Sequence, residues 1–195
     1  YYAWGELEPK TTYTWNNYAW AGQNKYNTVE HYPGGGASYK TGMDVEDDAA
    51  SQKLGWGIQI EGDTYGYWEI PDRWRINELL ETREKTDTYK WEWKAINGHS
   101  GWQITYLVNG NSIFLPAAGY IYEGSEVLGE GELGLYWASD SYFLNEWTSS
   151  AVGTNYSFYL RFEAGTSGEV ALYNDGQRAA GKPIRAVYHE ETLDR

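Results

Sequence analysis

The residues best suited to bind a ligand are aromatic and polar side chains in two segments of the C-terminal third of the sequence. They are Trp137, Ser139, Asp140, Tyr142, Asn145, Trp147, Asn155 and Tyr156 in the first segment, and Tyr173, Asn174, Asp175, Gln177 and Arg178 in the second. Flat rings stack on the apolar face of a sugar or against a peptide, while amide, carboxylate and guanidinium groups hydrogen-bond to hydroxyls or to backbone. We therefore predict a binding surface for a glycan or a protein, with burial in the core as the alternative for Trp137.

A cluster of carboxylates could instead hold a metal ion. Asp44, Glu46, Asp47 and Asp48 place four carboxylates within five residues, and Ca²⁺ takes several oxygen ligands. Consecutive carboxylates on a helix point in different directions, however, and the spacing of an EF-hand loop is missing. We therefore predict no metal site and no cofactor, and keep calcium at this cluster as the alternative to a helix cap with a solvated face.

No motif singles out catalytic residues. Glycoside hydrolysis requires a pair of carboxylates, and among 28 acidic side chains some pair is inevitable. Glu61 with Asp63, or Glu130 with Glu132, would be such pairs. None of the three histidines accompanies a G-x-S-x-G nucleophile motif. The chain is therefore predicted not to be an enzyme, and a carbohydrate-active hydrolase remains the less favoured alternative.

Two helices are predicted ahead of the candidate binding segments. The first covers residues 45–54, with Asp44 as its N-cap and acidic residues in its first turn. The second covers residues 73–82 and follows Asp72 as its N-cap. In this helix Ile76 shares one face with the leucines three and four positions further on, which predicts an apolar face directed at the core.

From residue 101 onward the apolar residues recur with a period of two, which is the pattern of strands. A tight hairpin is predicted around Asn109-Gly110. Further strands are predicted at residues 135–138, 156–162, 169–173 and 183–188. The chain is therefore predicted to be one α+β domain over residues 1–195, with two helices early and a twisted antiparallel sheet in the C-terminal half.

The overall composition excludes several classes of partner. With 15 basic against 28 acidic side chains, the net charge of −13 repels phosphate backbones and anionic lipid. The sequence has no cysteine, so neither a disulfide framework nor a thiolate metal site is possible. It also lacks an apolar run of about 20 residues, the length that spans a bilayer. We therefore predict a protein that binds no nucleic acid and does not itself insert into a membrane.

Four sequence motifs resemble one known family. They read W-E-I-P at residues 68–71, N-S-I-F-L-P-A-A-G-Y at 111–120, G-L-Y-W-A-S at 134–139 and I-R-A-V at 184–187. In this order the motifs resemble the Fibrobacter succinogenes major paralogous domain family. The resemblance implies a C-type-lectin-like fold, related to formylglycine-generating enzymes and to the variable proteins of diversity-generating retroelements. The cysteine chemistry of the formylglycine-generating enzymes is excluded by the composition.

The resemblance also implies export, to the extracellular space or to a bacterial cell surface, where the ligand face would be the region of the last strands. The prediction is therefore a non-enzymatic, exported ligand-binding domain that recognises a glycan or a protein. The alternative is a structural or adhesive surface subunit, a pilus-like or matrix component, in which the aromatic face is an assembly contact. The sequence leaves the oligomeric state open.

Overall fold

The computed structural model describes residues 1–21, 26, 29–31, 37–39, 42–54, 58–61, 64–142, 155–165 and 168–192. The two α-helices are α1 (Ala49–Leu54) and α2 (Arg73–Glu81), and short 3₁₀ helices cover Trp15–Asn17 and Val45–Asp47. The strands of these ranges are β1 (Val29–His31), β2 (Ala37–Tyr39), β3 (Ile58–Glu61), β4 (Thr64–Glu69), β5 (Tyr89–Ile96), β6 (His99–Tyr106), β7 (Ser112–Pro116), β8 (Tyr120–Ile121), β9 (Val127–Leu128), β10 (Leu133–Tyr142), β11 (Tyr156–Glu163), β12 (Val170–Gln177) and β13 (Val187–Thr192). Two helices with mainly antiparallel sheets confirm the predicted α+β class.

Helix α2 begins and packs as its sequence predicts. The carboxylate of Asp72 accepts a hydrogen bond from the Arg75 backbone N–H at 2.8 Å, which satisfies one of the unpaired amides of the first turn. Ile76 is buried, and Leu79 and Leu80 pack partly buried against the same core. The helix is therefore fixed by one cap and one apolar face.

The predicted start of the first helix is wrong. Residues 45–54 form two pieces, a 3₁₀ turn and then α1, which separate at Asp48. The Asp48 side chain accepts hydrogen bonds from the amides of Ala50 and Ser51, at 2.8 and 3.1 Å, whereas Asp44 makes no capping bond with its side chain. An aspartate whose side chain accepts from the amides two and three residues ahead favours the start of a new helix at that point. The N-cap is therefore Asp48, four residues later than predicted.

Strands begin much earlier than the sequence predicts. Strands β3, β4 and β5 all precede residue 101, and β13 starts at Val187 rather than at residue 183. The antiparallel sheets run in the orders β13-β4-β3, β5-β6-β7 and β10-β11-β12, with the pairs β1-β2 and β8-β9 beside them. The predicted hairpin is present between β6 and β7, and the predicted strands 135–138 and 156–162 lie within β10 and β11.

In the sheet β10-β11-β12, the central sheet, strands β10 and β11 carry buried residues on both faces. Tyr136, Leu160 and Phe162 pack on one side with α2 and the sheet β5-β6-β7. Trp137 and Tyr159 pack on the other side with aromatic rings of the N-terminal segment. Because successive strand residues point to opposite faces, strands covered on both sides hide polar as well as apolar residues.

Residues 2–4 close one face of the central sheet, and we call them the N-terminal clamp. Tyr2 and Lys182 exchange two backbone hydrogen bonds of 2.9 and 3.0 Å. The Trp137 indole donates to the Tyr2 carbonyl, and the Trp4 indole donates to the Ala138 carbonyl, each at 2.9 Å. The clamp therefore joins the segment after β12 to the middle of β10.

Helices α1 and α2, like every helix in the described ranges, lack the length and apolar character that a membrane span requires.

We expect Gly134→Ala to destabilise the fold, because Gly134 in β10 lies opposite Phe162 in β11. A Cβ atom at position 134 would meet the Phe162 ring at 2.0 Å, and that ring is fully buried. Overpacking of this kind costs about 1–3 kcal/mol, measurable by urea denaturation. Gly42→Ala is the matched control, since nothing lies within 4 Å of its Cβ position, and should change stability by less than about 0.5 kcal/mol. Equal stability of the two variants would contradict the packing described for the central sheet.

Candidate functional site

A cavity of about 310 Å³ opens on the face of the central sheet that carries Tyr159, and we call it the tyrosine cavity. Four tyrosines line it: Tyr120, Tyr122, Tyr159 and Tyr173. Its polar and charged lining residues are Arg161, Asp175, Gln177 and Lys182, and the remaining ones are Leu133, Leu135, Gly176 and Ala180. Its volume lies at the small end of the roughly 300–1,000 Å³ range of ligand pockets.

A bulge in β12 directs several neighbouring residues to this cavity. Tyr159 lies opposite Tyr173, but Ser157 lies opposite Gly176, so β12 has one residue more than β11 over this stretch. A bulge of this kind interrupts the alternation of side chains and redirects them locally. As a result Tyr173, Asp175 and Gly176 all line the same cavity.

Glycine at position 176 allows the floor of the cavity to be aromatic. A Cβ atom there would meet Tyr159 Cδ1 at 2.7 Å and Trp137 Cζ3 at 2.8 Å. Both rings therefore pack directly against the backbone of β12, an approach that only glycine permits.

The polar groups of the cavity are held in place by hydrogen bonds. The Tyr159 hydroxyl donates to Asp175 Oδ1 at 2.9 Å, and the Gln177 amide donates to the Tyr122 hydroxyl at 3.0 Å. Tyr159 and Tyr173 are stacked, with 5.7 Å between their ring centroids. Burial, together with the bond to Asp175, raises the pKa of Tyr159 above its ordinary value, so its hydroxyl remains a donor at neutral pH. Several polar groups of the walls are therefore positioned by hydrogen bonds before any ligand binds.

Lys182 is the buried cation of the cavity. Its side chain lies over two rings, with Nζ 3.7 Å from the ring centroid of Trp137 and 4.8 Å from that of Tyr159. The residue is 3% exposed. Burial lowers the pKa of Lys182 to about 7, and the charge of Asp175 opposes part of that effect. The ammonium is therefore stabilised by ring faces while its protonation changes near neutral pH.

The sequence-predicted binding residues fall into separate places. Tyr173, Asp175 and Gln177 line the tyrosine cavity. Asn174, between two of them on β12, does not line it and is half-buried. Asn145 and Trp147 lie outside the described residues.

Arg178 has a structural environment instead of a ligand-facing one. Its Nε donates to the Tyr156 carbonyl and the Ser157 hydroxyl, both at 3.0 Å, and its guanidinium lies 4.8 Å from the Trp4 ring centroid. Burial lowers its pKa to about 10. Arg178 therefore joins the N-terminal clamp to β11, away from solvent.

Most of the predicted residues of the first segment are buried or take part in hydrogen bonds with backbone groups of neighbouring elements. Trp137 is 1% exposed, so the alternative of a core role applies to it. Asp140 is buried and accepts a hydrogen bond of 2.6 Å from the Arg73 amide at the start of α2, while burial raises its pKa. The Ser139 amide donates to the Pro71 carbonyl, and the Ser139 carbonyl accepts a hydrogen bond from the Met43 amide. These groups hold β10 against its neighbours.

Three further residues of this segment lie nearer the surface. Tyr142 packs edge-on against Phe158, with 5.4 Å between ring centroids. Asn155 is exposed, and its carbonyl accepts the Arg178 amide at 2.8 Å. Tyr156 is half-buried at the start of β11. None of these three lines the tyrosine cavity.

The four residues of the acidic cluster differ in their exposure and in their hydrogen-bond partners. Asp48 caps α1 and also accepts the Ile70 amide at 2.8 Å, while buried Asp47 accepts a hydrogen bond from the Tyr26 hydroxyl. Glu46 is exposed, and Asp44 is half-buried with its amide bonded to the Tyr26 hydroxyl at 3.1 Å. Within the ranges that the structure describes, no three His, Cys, Asp or Glu side chains are grouped to hold a metal ion.

The sequence interpretation missed five of the eight aromatic, polar or charged residues that line the cavity: Tyr120, Tyr122, Tyr159, Arg161 and Lys182. A local signal existed for Tyr159 and Arg161, which share a face of the predicted strand 156–162. Lys182 has no local signal, because its burial depends on pairing with Tyr2, far away in sequence.

Comparison of the chain with protein families, with curated proteins and with solved structures finds no match.

We expect Asp48→Ala to destabilise the protein by about 2–4 kcal/mol, because it removes a helix cap and leaves the buried Ile70 amide without its acceptor. Asp48→Asn should lose less, since its amide oxygen can still cap α1 while its NH₂ group cannot accept from Ile70. Urea denaturation of both variants, with and without calcium, measures the difference. A calcium-dependent gain in stability of the wild-type protein that Asp48→Ala abolishes would restore the metal interpretation.

Proposed function

We propose that this chain is a ligand-binding domain whose tyrosine cavity takes a terminal unit or two of a saccharide. The observation that carries the proposal is the cavity itself, in which four tyrosine rings and fixed polar groups surround a space of saccharide size. A protein ligand would then be recognised through the glycan it bears. A flat protein surface would not enter a space of this kind.

The chemistry of the lining suits a sugar. Tyrosine rings cover the apolar face of a pyranose, and their hydroxyls exchange hydrogen bonds with its hydroxyl groups. Asp175 and Gln177 supply an acceptor and an amide at the same cavity, each already held by a tyrosine hydroxyl. Fixed groups of this kind lower the entropy lost on binding.

The proposal does not include catalysis. Hydrolysis of a glycosidic bond uses two carboxylates across the sugar, and Asp175 is the one carboxylate among the described lining residues. Asp175 also accepts a hydrogen bond from the Tyr159 hydroxyl.

We further propose that the α+β fold is of the C-type-lectin-like kind and that the domain works outside the cell, as the sequence resemblance implies. Three of the family-like motifs support this, because residues 111–120, 134–139 and 184–187 meet in space. Leu115 and Tyr136 share one core, and Trp137 and Ala186 share the adjoining one. The motifs therefore correspond to one packed unit.

A second candidate function, assembly through an aromatic surface, is favoured by Trp74. This residue on α2 is 64% exposed. The Arg73 guanidinium lies 4.9 Å from the Trp74 ring centroid and 5.3 Å from that of Phe158. Exposed Trp and Arg are the residue types that dominate protein interfaces.

We expect a glycan array, probed with the purified domain in calcium and in chelator, to identify a saccharide that binds in both conditions. Tyr122→Ala should then weaken binding of that saccharide about tenfold, as expected for loss of a stacking ring and a hydroxyl, measured by calorimetry. Tyr188→Ala is the matched control: the two tyrosines are 41% and 44% exposed, and Tyr188 lies on β13 outside the tyrosine cavity. Equal effects of the two substitutions would move the site elsewhere.

If the Trp74 surface is an assembly contact, the wild-type protein should associate with increasing concentration and Trp74→Ala should remain monomeric. Light scattering over a concentration series measures this, with thermal unfolding as the check on folding. A wild-type protein that stays monomeric at high concentration would exclude self-assembly through Trp74.

A further inference from the structure

We propose that the tyrosine cavity selects a saccharide that carries a carboxylate, such as a uronic or sialic acid, and that Lys182 binds this carboxylate. The inference rests on the proposed function of the cavity and narrows its ligand to one chemical class.

The first support is that, in the described part of the chain, the Lys182 ammonium has no polar partner. It makes no hydrogen bond and no ion pair with any residue that the structure describes, and its recorded contacts are the faces of Trp137 and Tyr159. A buried charge is costly unless it is paired or hydrogen-bonded. Ring faces offset part of that cost, and an anion entering the cavity would offset the remainder.

The second support is that the other cation of the cavity is already neutralised. Arg161 forms an ion pair with Glu163, and its Nη1 lies 3.8 Å from a carboxylate oxygen of Glu169. Its guanidinium also lies 5.4 Å from the Tyr173 ring centroid. Of these two cations, Lys182 is therefore the one available to pair with a ligand carboxylate.

The third support is the position of Asp175, which fixes the direction in which an acid would enter. Asp175 is exposed and accepts the Tyr159 hydroxyl, whereas Lys182 is buried. The carboxylate of the ligand would be repelled by Asp175 and drawn to Lys182, while sugar hydroxyls could donate to Asp175. A molecule with one carboxylate and several hydroxyls satisfies both groups, and this is the composition of a sugar acid.

The buried lysine also makes the selectivity depend on pH. Below its pKa of about 7 the free protein carries the ammonium, so the preference for an acid is complete. Above pH 7 the free protein loses this proton, and affinity for the acid falls by up to tenfold per pH unit until the higher pKa of the complex is reached. A sugar carboxylate, with a pKa of about 3–4, stays charged throughout.

Few other groups at the cavity could produce this pH dependence. The titratable groups that face Lys182 from the neighbouring strands and loops are the carboxyl of Asp175, the guanidinium of Arg161 and four phenols. Groups of these three types ordinarily titrate outside the range from pH 6 to 9.

The test uses matched pairs of methyl glycosides that differ only in the carboxylate: the glucuronide with the glucoside, and the galacturonide with the galactoside. The methyl glycoside of N-acetylneuraminic acid and sodium acetate complete the set. Affinities are measured at pH 6 and pH 8.5 by calorimetry or ligand-observed NMR. We expect at least one acid to bind about tenfold more tightly than its neutral partner at pH 6, with a smaller ratio at pH 8.5. Lys182→Met should bring the ratio close to one at both pH values.

A second readout follows the lysine directly in the wild-type protein, so it does not depend on whether a variant folds. The ¹³Cε resonance of Lys182 in the wild-type protein gives its pKa. Acetate or a bound sugar acid should raise this pKa, whereas glucoside and galactoside should leave it unchanged.

The outcomes separate the inference from the proposed function. Neutral glycosides that bind as tightly as the acids, and lose affinity in Tyr122→Ala, would overturn the inference and support the saccharide cavity. Acetate and acids that raise the Lys182 pKa, with affinities unaffected by Tyr122→Ala, would support the anion subsite and overturn the saccharide function. A Lys182 pKa that no carboxylate shifts, with no acid preference, would overturn the inference.

Discussion

The pairing of Tyr2 with Lys182 is the contact on which the rest of the structure depends. It brings the N-terminal clamp across the segment that follows β12, and the indoles of Trp4 and Trp137 then satisfy carbonyl groups on the opposite partner. The Trp4–Ala138 bond is buried and the Trp137–Tyr2 bond is part-buried. A buried group left without its partner would cost about 1–3 kcal/mol. The clamp thus gives the central sheet its second buried face, and it holds the lysine at the floor of the tyrosine cavity.

Two cations lie against tryptophan rings beneath this clamp, and their surroundings differ in one respect. Arg178 lies over Trp4 and donates to a carbonyl and a hydroxyl of β11. Lys182 lies over Trp137, and no such acceptor bonds to its ammonium among the residues that the structure describes. A buried guanidinium with hydrogen bonds is a structural link, whereas a buried ammonium that has only ring faces retains its capacity to bind an anion. The two residues are four positions apart, and only their contacts distinguish the roles.

Local pattern predicts those parts of the fold that local interactions determine. Helix α2 follows from the Asp72 cap and the face of Ile76, and strand β11 follows from its alternation. The start of α1 does not, because four nearby carboxylates could each serve as a cap and the tertiary bond to Ile70 favours Asp48.

In the candidate site, too, local pattern predicts some features and tertiary contacts determine the others. Asp175 and Gln177 were predicted as ligand contacts and do line the cavity, yet Asp140 and Arg178 have the same polar character and are buried. Sequence alone does not distinguish these pairs, because the burial of the central sheet depends on segments distant in sequence: α2 and the sheet β5-β6-β7 on one face, and the N-terminal segment on the other. Lys182 was missed for the same reason.

The floor and the rim of the tyrosine cavity differ in their contacts, and this difference bears on how the specificity of the cavity could evolve. Its floor is made of Tyr159, Gly176 and Lys182, where a substitution disturbs the clamp or the packing of the sheet. Its rim is made of Tyr122, Asp175 and Gln177, which are exposed or half-buried and touch mainly one another and Tyr159. Substitutions at the rim should therefore cost less stability than substitutions at the floor. If the cavity binds a sugar acid as proposed, its choice of sugar could change through the rim while its demand for an acidic group persists.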